Sequence, residues 1–344
     1  MSAPAIPHQP RRRRRWPLFL LLAVVALAGA HAAALSWMAG QIQQGLEAWA
    51  AQRRAQGWQV EYGPPQRGGW PWAASLRLPG FGLATGSVAW QAEAVTLSVS
   101  PPALNLLHWS AEGAQQLALA GPSMPLRTAS LQGEVLLNGQ APPTAGSVRA
   151  ESAELQTSIG TILLPTAQLG FDAPAGQPLG LTLRIRGLTL PDHLLPPSPA
   201  FGPRIDDLTL DAAISGPLDA AGPLPRRVAL WRDAGGRVEV KGLTLRWGPT
   251  AVSAAASLAL DDALQPSGAG TVRVANPTAT LDALTASGAI PARTAYTVRR
   301  VLPLLTRLDP GGGSPVVELP VAVQDRTLSV ARFPLMQLQT VEWR

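Results

Sequence analysis

The side chains able to do chemistry are few and scattered. There are four histidines, His8, His31, His108 and His193. Only the last two lie beyond the N-terminal segment, far apart and without a partner at metal-ligand spacing, so no zinc pattern is present. With no cysteine, the chain has no disulfide, thiolate metal ligand or cysteine nucleophile. The neighbouring carboxylates Asp206-Asp207 and Asp261-Asp262 have the composition of a hydrolytic acid–base pair. Adjacent residues on a strand face opposite ways, however, which makes both pairs read as solvated turns. Ser314 follows Gly311-Gly312-Gly313 and lacks the G-x-S-x-G frame of a nucleophile elbow. Gly80-Phe81-Gly82 with Gly86 misses the dinucleotide spacing and lies in a strand-turn-strand setting. The expectation is a protein that is not an enzyme, with no metal and no cofactor. A hydrolase using Asp206, Asp261 or His193 is the catalytic alternative.

The elements around these residues begin with Arg11 to Arg15, followed by Trp16 and an uncharged run lasting to Glu47. Within it Pro17 to Met38 is almost wholly apolar, enough at about 1.5 Å per residue to cross a hydrocarbon core of about 30 Å. The positive-inside rule puts residues 1–15 in the cytoplasm as a basic tail and sends the rest across the membrane. Residues 16–40 read as the anchor, with Trp16 and Trp37 near its two interfaces, and residues 41–57 as an amphipathic stalk helix ending at Gly57. A cleaved signal, cut near Ala32 after a shorter apolar stretch from Leu18, is the alternative. His31 then lies within the span, as a proton site or as a neutral imidazole near the helix end.

The formal charge of +6 suggests a polyanion partner only until the arginine run is set aside. The rest carries 23 basic and 22 acidic residues, without a clustered basic face, so nucleic acid is not an expected partner.

Residues 58–344 read as one β-rich domain. Glycine (33) and proline (34) leave little room for long helices, and charged residues are only 15 % of the chain. Two-residue alternation runs through Trp58, Val60 and Tyr62, through Val88, Trp90 and Ala92, and then in the opposite phase through Val95, Leu97 and Val99, which predicts a bulge. It returns at Leu181 to Ile185, Leu208 to Ile214, Val238 to Trp247, Val252 to Leu260 and Val272 to Val274. Three segments echo one another at irregular spacing: Arg186-Gly187-Leu188-Thr189-Leu190, Asp206-Asp207-Leu208-Thr209-Leu210 and Lys241-Gly242-Leu243-Thr244-Leu245. A small helical insertion is predicted near residues 278–308, broken at Pro291 and kinked at Pro303. A closing hairpin should turn at Gln324-Asp325-Arg326.

So many strands and so few helical residues leave a sheet that must close on itself or curl. The predicted class is mainly β, an elongated, curled antiparallel sheet behind one N-terminal helix. Its apolar face offers a groove for an amphipathic ligand. The expected lining is Trp70, Trp72, Leu76, Leu78, Trp90, Leu243, Leu245 and Trp247. A sandwich with a dry core is the competing arrangement.

Gly69-Trp70-Pro71-Trp72 before Leu76-Arg77-Leu78, Val88-Ala89-Trp90 before Ala94-Val95-Thr96-Leu97, and Leu319-Pro320-Val321 leading to Phe333-Pro334-Leu335 resemble the bacterial domain-of-unknown-function family 2125. The likeness covers roughly residues 15–344 and is similar in plan to the AsmA-like envelope proteins, with one N-terminal anchor and a long periplasmic β-rich region. It implies a periplasmic body on a single-pass inner-membrane anchor, with lipid as the partner and envelope maintenance as the role. A scaffold bracing an envelope protein complex is the alternative. The resemblance brings no catalytic residues with it.

Overall fold

The computed structural model describes residues 16–343 except 87, 120, 139–140, 193–200, 218–222, 289, 309–314 and 332. Among the described residues the chain is mostly β, with one long N-terminal helix and three short ones. The elements are α1 (Trp16–Ala55), β1 (Gln59–Glu61), β2 (Gln66–Gly68), β3 (Ala74–Thr85), β4 (Val88–Ser100), β5 (Ala103–Leu119), β6 (Met124–Arg127), β7 (Ser130–Asn138), β8 (Ala141–Thr157), β9 (Gly160–Asp172), β10 (Leu179–Thr189) and β11 (Arg204–Ser215). They continue as α2 (Leu224–Asp233), β12 (Arg237–Trp247), β13 (Thr250–Leu260), β14 (Pro266–Ala275), α3 (Pro277–Ala286), α4 (Ala292–Leu305), β15 (Arg307–Leu308), β16 (Pro315–Gln324), β17 (Thr327–Val330) and β18 (Phe333–Gln337).

Leucine and alanine dominate α1, which is long and apolar enough to cross a membrane, a property shared by anchors and signal sequences. It ends where its glycine allows. Gly57 takes φ +87°, its N–H donates to the Arg54 carbonyl and that of Trp58 to the Arg53 carbonyl, both at 3.0 Å, which together close a Schellman cap. The C-terminal half of α1 lies on the sheet through one stripe. Leu35 and Ala39 meet Ala74, while Ile42, Leu46 and Trp49 pack on the cluster of Leu76, Leu78, Phe81 and Val95. That spacing is the 3.6-residue period of a helix burying one face.

All 18 strands belong to one antiparallel sheet built as a meander. From β3 each long strand pairs with the next: β3 with β4, β4 with β5, β5 with β7, then onward through β8 to β14, β16, β17 and β18. β1 and β2 flank β3 at its two ends, β6 fills a gap between β5 and β8, and β15 extends the edge of β16. Among the described residues no strand pairing closes the sheet.

The phase change in β4 coincides with a register shift against β5 between Ala92 and Ala94, where Gly113 and Ala114 of β5 stand opposite Glu93. Two of the three echoing segments are cross-strand partners, with Leu208, Thr209 and Leu210 opposite Leu245, Thr244 and Leu243. At the C-terminal hairpin Gln324 pairs with Thr327 around Asp325 and Arg326, both at positive φ as a two-residue turn requires. α3 and α4 form the helical insertion, and Leu281, Ala295 and Leu302 bury Val317 of β16. Pro303 lies inside α4, which stops at Leu305, short of residue 308, because Arg307 and Leu308 pair with Val316 and Pro315.

Candidate functional site: an uncovered apolar face

Directly paired residues on antiparallel neighbours project to the same face, so the registers trace side-chain rows across the whole sheet. One row runs Leu76, Leu97, Trp109, Gly133, Val148, Leu169 from β3 to β9. It continues Leu183, Leu210, Leu243, Ala254, Val272, Leu319 to β16. A second row, two residues along, includes Leu78, Val95, Ala111, Leu131, Ala150, Ala167, Ile185, Leu208, Leu245, Val252, Val274 and Val317. Between them, on the opposite face, stand Thr96, Ser110, Gln132, Arg149, Gln168, Arg184, Thr209, Thr244, Ser253, Arg273 and Glu318. The sheet is thus apolar on one side and polar on the other. At about 4.8 Å per strand each apolar row is roughly 50 Å long.

Only the ends of these rows are roofed. Leu76 and Leu78 lie under α1 and are 0 % exposed, and Val317 lies under α3 and α4. Between these, no helix packs extensively across β7 to β10 among the described residues. There Leu131, Val148, Leu183 and Ile185 are half-buried and Leu169 is 48 % exposed. The facing polar residues Gln132, Arg149 and Arg184 are exposed. Among the described residues this side of the sheet is therefore an apolar face left open between its two roofed ends.

Aromatic rings lie on glycines along this face. A Cβ on Gly133 would come within 2.5 Å of the Trp109 indole nitrogen, and one on Gly146 within 2.5 Å of the Phe171 ring, so glycine is what lets each ring lie on its neighbouring strand. At one end of the strands, Ile214, Val238 and Leu258 form a further apolar row, and α2 leans over it. Leu224, Arg227, Val228 and Trp231 of α2, together with Trp343, border an open cleft of about 360 Å³ against Val238, Leu258, Leu260 and Pro266. The Trp231 Nε1–H donates to the Ser215 carbonyl at 2.7 Å and the Trp343 Nε1–H to the Leu264 carbonyl at 2.8 Å. Both indoles therefore have their polar edge satisfied and line the cleft with apolar surface.

The structure separates the eight residues expected along the groove. Leu243 and Leu245 stand on the two rows, half-buried. Trp247 extends the second toward its strand end, where its Nε1–H donates to the Gly202 carbonyl at 3.0 Å and its ring lies 5.1 Å from that of Phe201. Leu76 and Leu78 share the rows but are sealed beneath α1, and Trp90 packs against the same cluster, 5.7 Å from Phe81, with its indole donating to Gln115. Trp70 and Trp72 are not on the sheet face at all. They occupy the exposed turn between β2 and β3, 65 % and 83 % accessible. The cleft residues Leu224, Val228 and Trp231 were missed, although their i, i+4, i+7 spacing between Pro223 and Gly235-Gly236 is a helix signature.

The polar side chains considered for chemistry are engaged elsewhere. Asp206 and Asp207 lie 3.5 Å and 3.9 Å from Arg204 and Arg186, and Asp261 accepts the backbone N–H of Gln265 at 2.8 Å within a turn. His108 Nδ1 is 3.3 Å from Glu134 on the polar face. His31 Nε2–H donates to the Pro71 carbonyl at 2.7 Å. His193, Ser314 and Gly311 to Gly313 fall outside the described residues. Among the described residues no three His, Asp or Glu side chains converge.

One carboxylate on the polar face has a perturbed titration. The Thr96 hydroxyl, and then the Arg77 guanidinium at 3.1 Å, hold the Glu112 carboxyl below its usual range. A lowered folded-state pKa adds stability that is present above the unfolded-state value and lost as pH falls through the folded one. Glu112→Gln is therefore expected to cost about 0.5 kcal/mol at neutral pH, as exposed pairs do. In urea titrations the difference from the parent should disappear once the pH is below the folded-state pKa of Glu112.

No curated protein and no solved structure matches the chain. A family match covers residues 36–339, which takes in all but the first contacts of α1 with the sheet, both roofed ends and the uncovered strands between them. The chain belongs to the bacterial family described as an uncharacterized protein conserved in bacteria, DUF2125.

Proposed function

We propose that the protein is a bacterial envelope protein held in the inner membrane by α1, with residues 1–15 cytoplasmic and the sheet in the periplasm, and that its apolar trough holds or conducts lipid acyl chains. The observation that carries this reading is the pair of apolar rows on β7 to β10, half-buried at Leu131, Val148, Leu183 and Ile185 and exposed at Leu169, over which no helix packs extensively among the described residues. Exposed apolar surface on this scale marks a binding face. The open stretch from β7 to β10 measures roughly 14 Å at about 4.8 Å per strand, close to the roughly 15 Å of one leaflet's hydrocarbon. The cleft under α2 falls within the usual ~300–1,000 Å³ of small-ligand pockets and continues the same surface.

Membrane orientation rests on Arg11 to Arg15 ahead of α1 and on the positive-inside rule. Retention of α1 is supported by His31, whose hydrogen bond to the Pro71 carbonyl would be lost on cleavage near Ala32. The plan then matches that of the AsmA-like envelope proteins, one anchor and a long β region. Lipid extraction of the detergent-purified full chain followed by mass spectrometry should return bound lipid in near-stoichiometric amount. Protein free of lipid after mild extraction contradicts the proposal.

A further inference from the structure

The exposed tryptophans displaced from the trough sit at one level of the molecule. Trp70 and Trp72 flank Pro71, whose carbonyl accepts a hydrogen bond from His31, so their turn is fastened beside the part of α1 where it first meets the sheet. Trp37, 67 % exposed, lies a turn and a half further along the same helix. The turn itself is stiff: Gly69, at φ +94°, accepts the N–H groups of Trp72 and Ala73 through its carbonyl at 3.1 Å and 2.9 Å. A Cβ on Gly69 would come 2.5 Å from the Ala73 carbonyl oxygen, so both indoles are presented on a preformed scaffold.

Helix length locates this level against a bilayer. Before residue 31 the helix carries Phe19, Leu20, Leu22, Val25 and Leu27, each more than half exposed and unsupported by the sheet. A hydrocarbon core of about 30 Å takes about twenty residues, and twenty residues counted from Trp16 reach Leu35. The sheet, however, already begins at the level of His31, about four residues or 6 Å earlier. A helix that spans must therefore bring the Trp70-Pro71-Trp72 turn down into the outer boundary of the bilayer. Indoles prefer that zone, because the ring is apolar and the N–H can still find a partner.

We infer that Trp70 and Trp72, with Trp37, form an interfacial foot that seats the strand end of the sheet in the outer leaflet of the membrane crossed by α1. The occupant of this surface is the lipid bilayer itself. The inference rests on the reading of α1 as a retained span and goes beyond it, since a span alone could carry the sheet clear of the surface on a free stalk. It also places the β4–β5 turn, with Leu104 55 % exposed, on the membrane side.

The cysteine-free chain allows the two claims to be read separately. Single cysteines at Leu27, Ala73 and Gly86 in the full chain, spin-labelled and reconstituted into phosphatidylethanolamine–phosphatidylglycerol vesicles, report depth by collision with oxygen against a water-soluble nickel chelate. The label at residue 27 should favour oxygen several-fold, that at residue 73 should show near parity, and that at residue 86, at the far strand end, should favour nickel several-fold. Adding Trp70→Ser and Trp72→Ser should move residue 73 toward the nickel-dominated value while residue 27 stays unchanged. A deep residue 27 with a fully aqueous residue 73 overturns the foot and leaves the span standing. An aqueous residue 27 overturns both.

Discussion

Replacing Leu78 with alanine is expected to lower the unfolding free energy by about 3 kcal/mol, whereas the same change at Leu169 should cost under about 1 kcal/mol. Both residues lie on the apolar side of one sheet, and they differ in what covers them. Leu78 is 0 % exposed between the sheet and the α1 stripe of Ile42, Leu46 and Trp49, so truncation removes a full side chain of contacts and leaves a void. Leu169 already meets solvent over 48 % of its surface, so little transfer energy is lost and no closed cavity forms. Urea denaturation of the two variants in the same detergent measures the contrast. Equal losses would mean that a second layer covers β9 in solution and that the face is not open.

The second large effect concerns binding. Aspartate at Leu169 or Leu243 should reduce co-extracted lipid at least tenfold while leaving the far-ultraviolet circular dichroism intact. Each methylene laid on the rows contributes about 0.8 kcal/mol, so some ten methylenes gather roughly 8 kcal/mol before ordering costs. A carboxylate on the path must be stripped of water by the passing chain, at a cost of several kcal/mol, and about 1.4 kcal/mol is enough for a tenfold loss. Gln132→Asp, on the polar face beside Arg149, introduces the same charge without entering the trough and should leave the lipid content unchanged. If it depletes lipid equally, the effect belongs to net charge or folding and not to the apolar face.

How far the sequence foretold this arrangement depends on what alternation can report. It tells which residues share a face, and so the strands, the irregularity beside Ala92 to Ala94 of β4 and the phase of Leu243 and Leu245 were all readable. It does not tell which part of a face is roofed. Leu76 and Leu243 lie on one row, yet one is sealed and the other half-open, because the stripe Leu35, Ala39, Ile42, Leu46 folds α1 back onto the β1–β4 end of the sheet. That is a tertiary fact with no local signature at Leu76. Trp70 and Trp72 failed for a different reason: next to an alternating segment they read as its continuation, but the positive φ of Gly69 turns the chain and takes both indoles off the sheet. The α2 wall was overlooked since a ten-residue helix between prolines and glycines is easily taken for a loop. Its helical spacing was nonetheless present in Leu224, Val228 and Trp231.

The most direct measurement is a photocrosslinking comparison between two neighbouring residues. A benzophenone amino acid placed at Leu183 points into the trough, and one placed at Arg184 points to the polar side. Irradiated in cells and analysed by mass spectrometry, the Leu183 variant should carry a covalent lipid adduct and the Arg184 variant none. Lipid adducts at both positions, or a protein crosslink and no lipid at Leu183, would contradict an apolar trough that receives acyl chains.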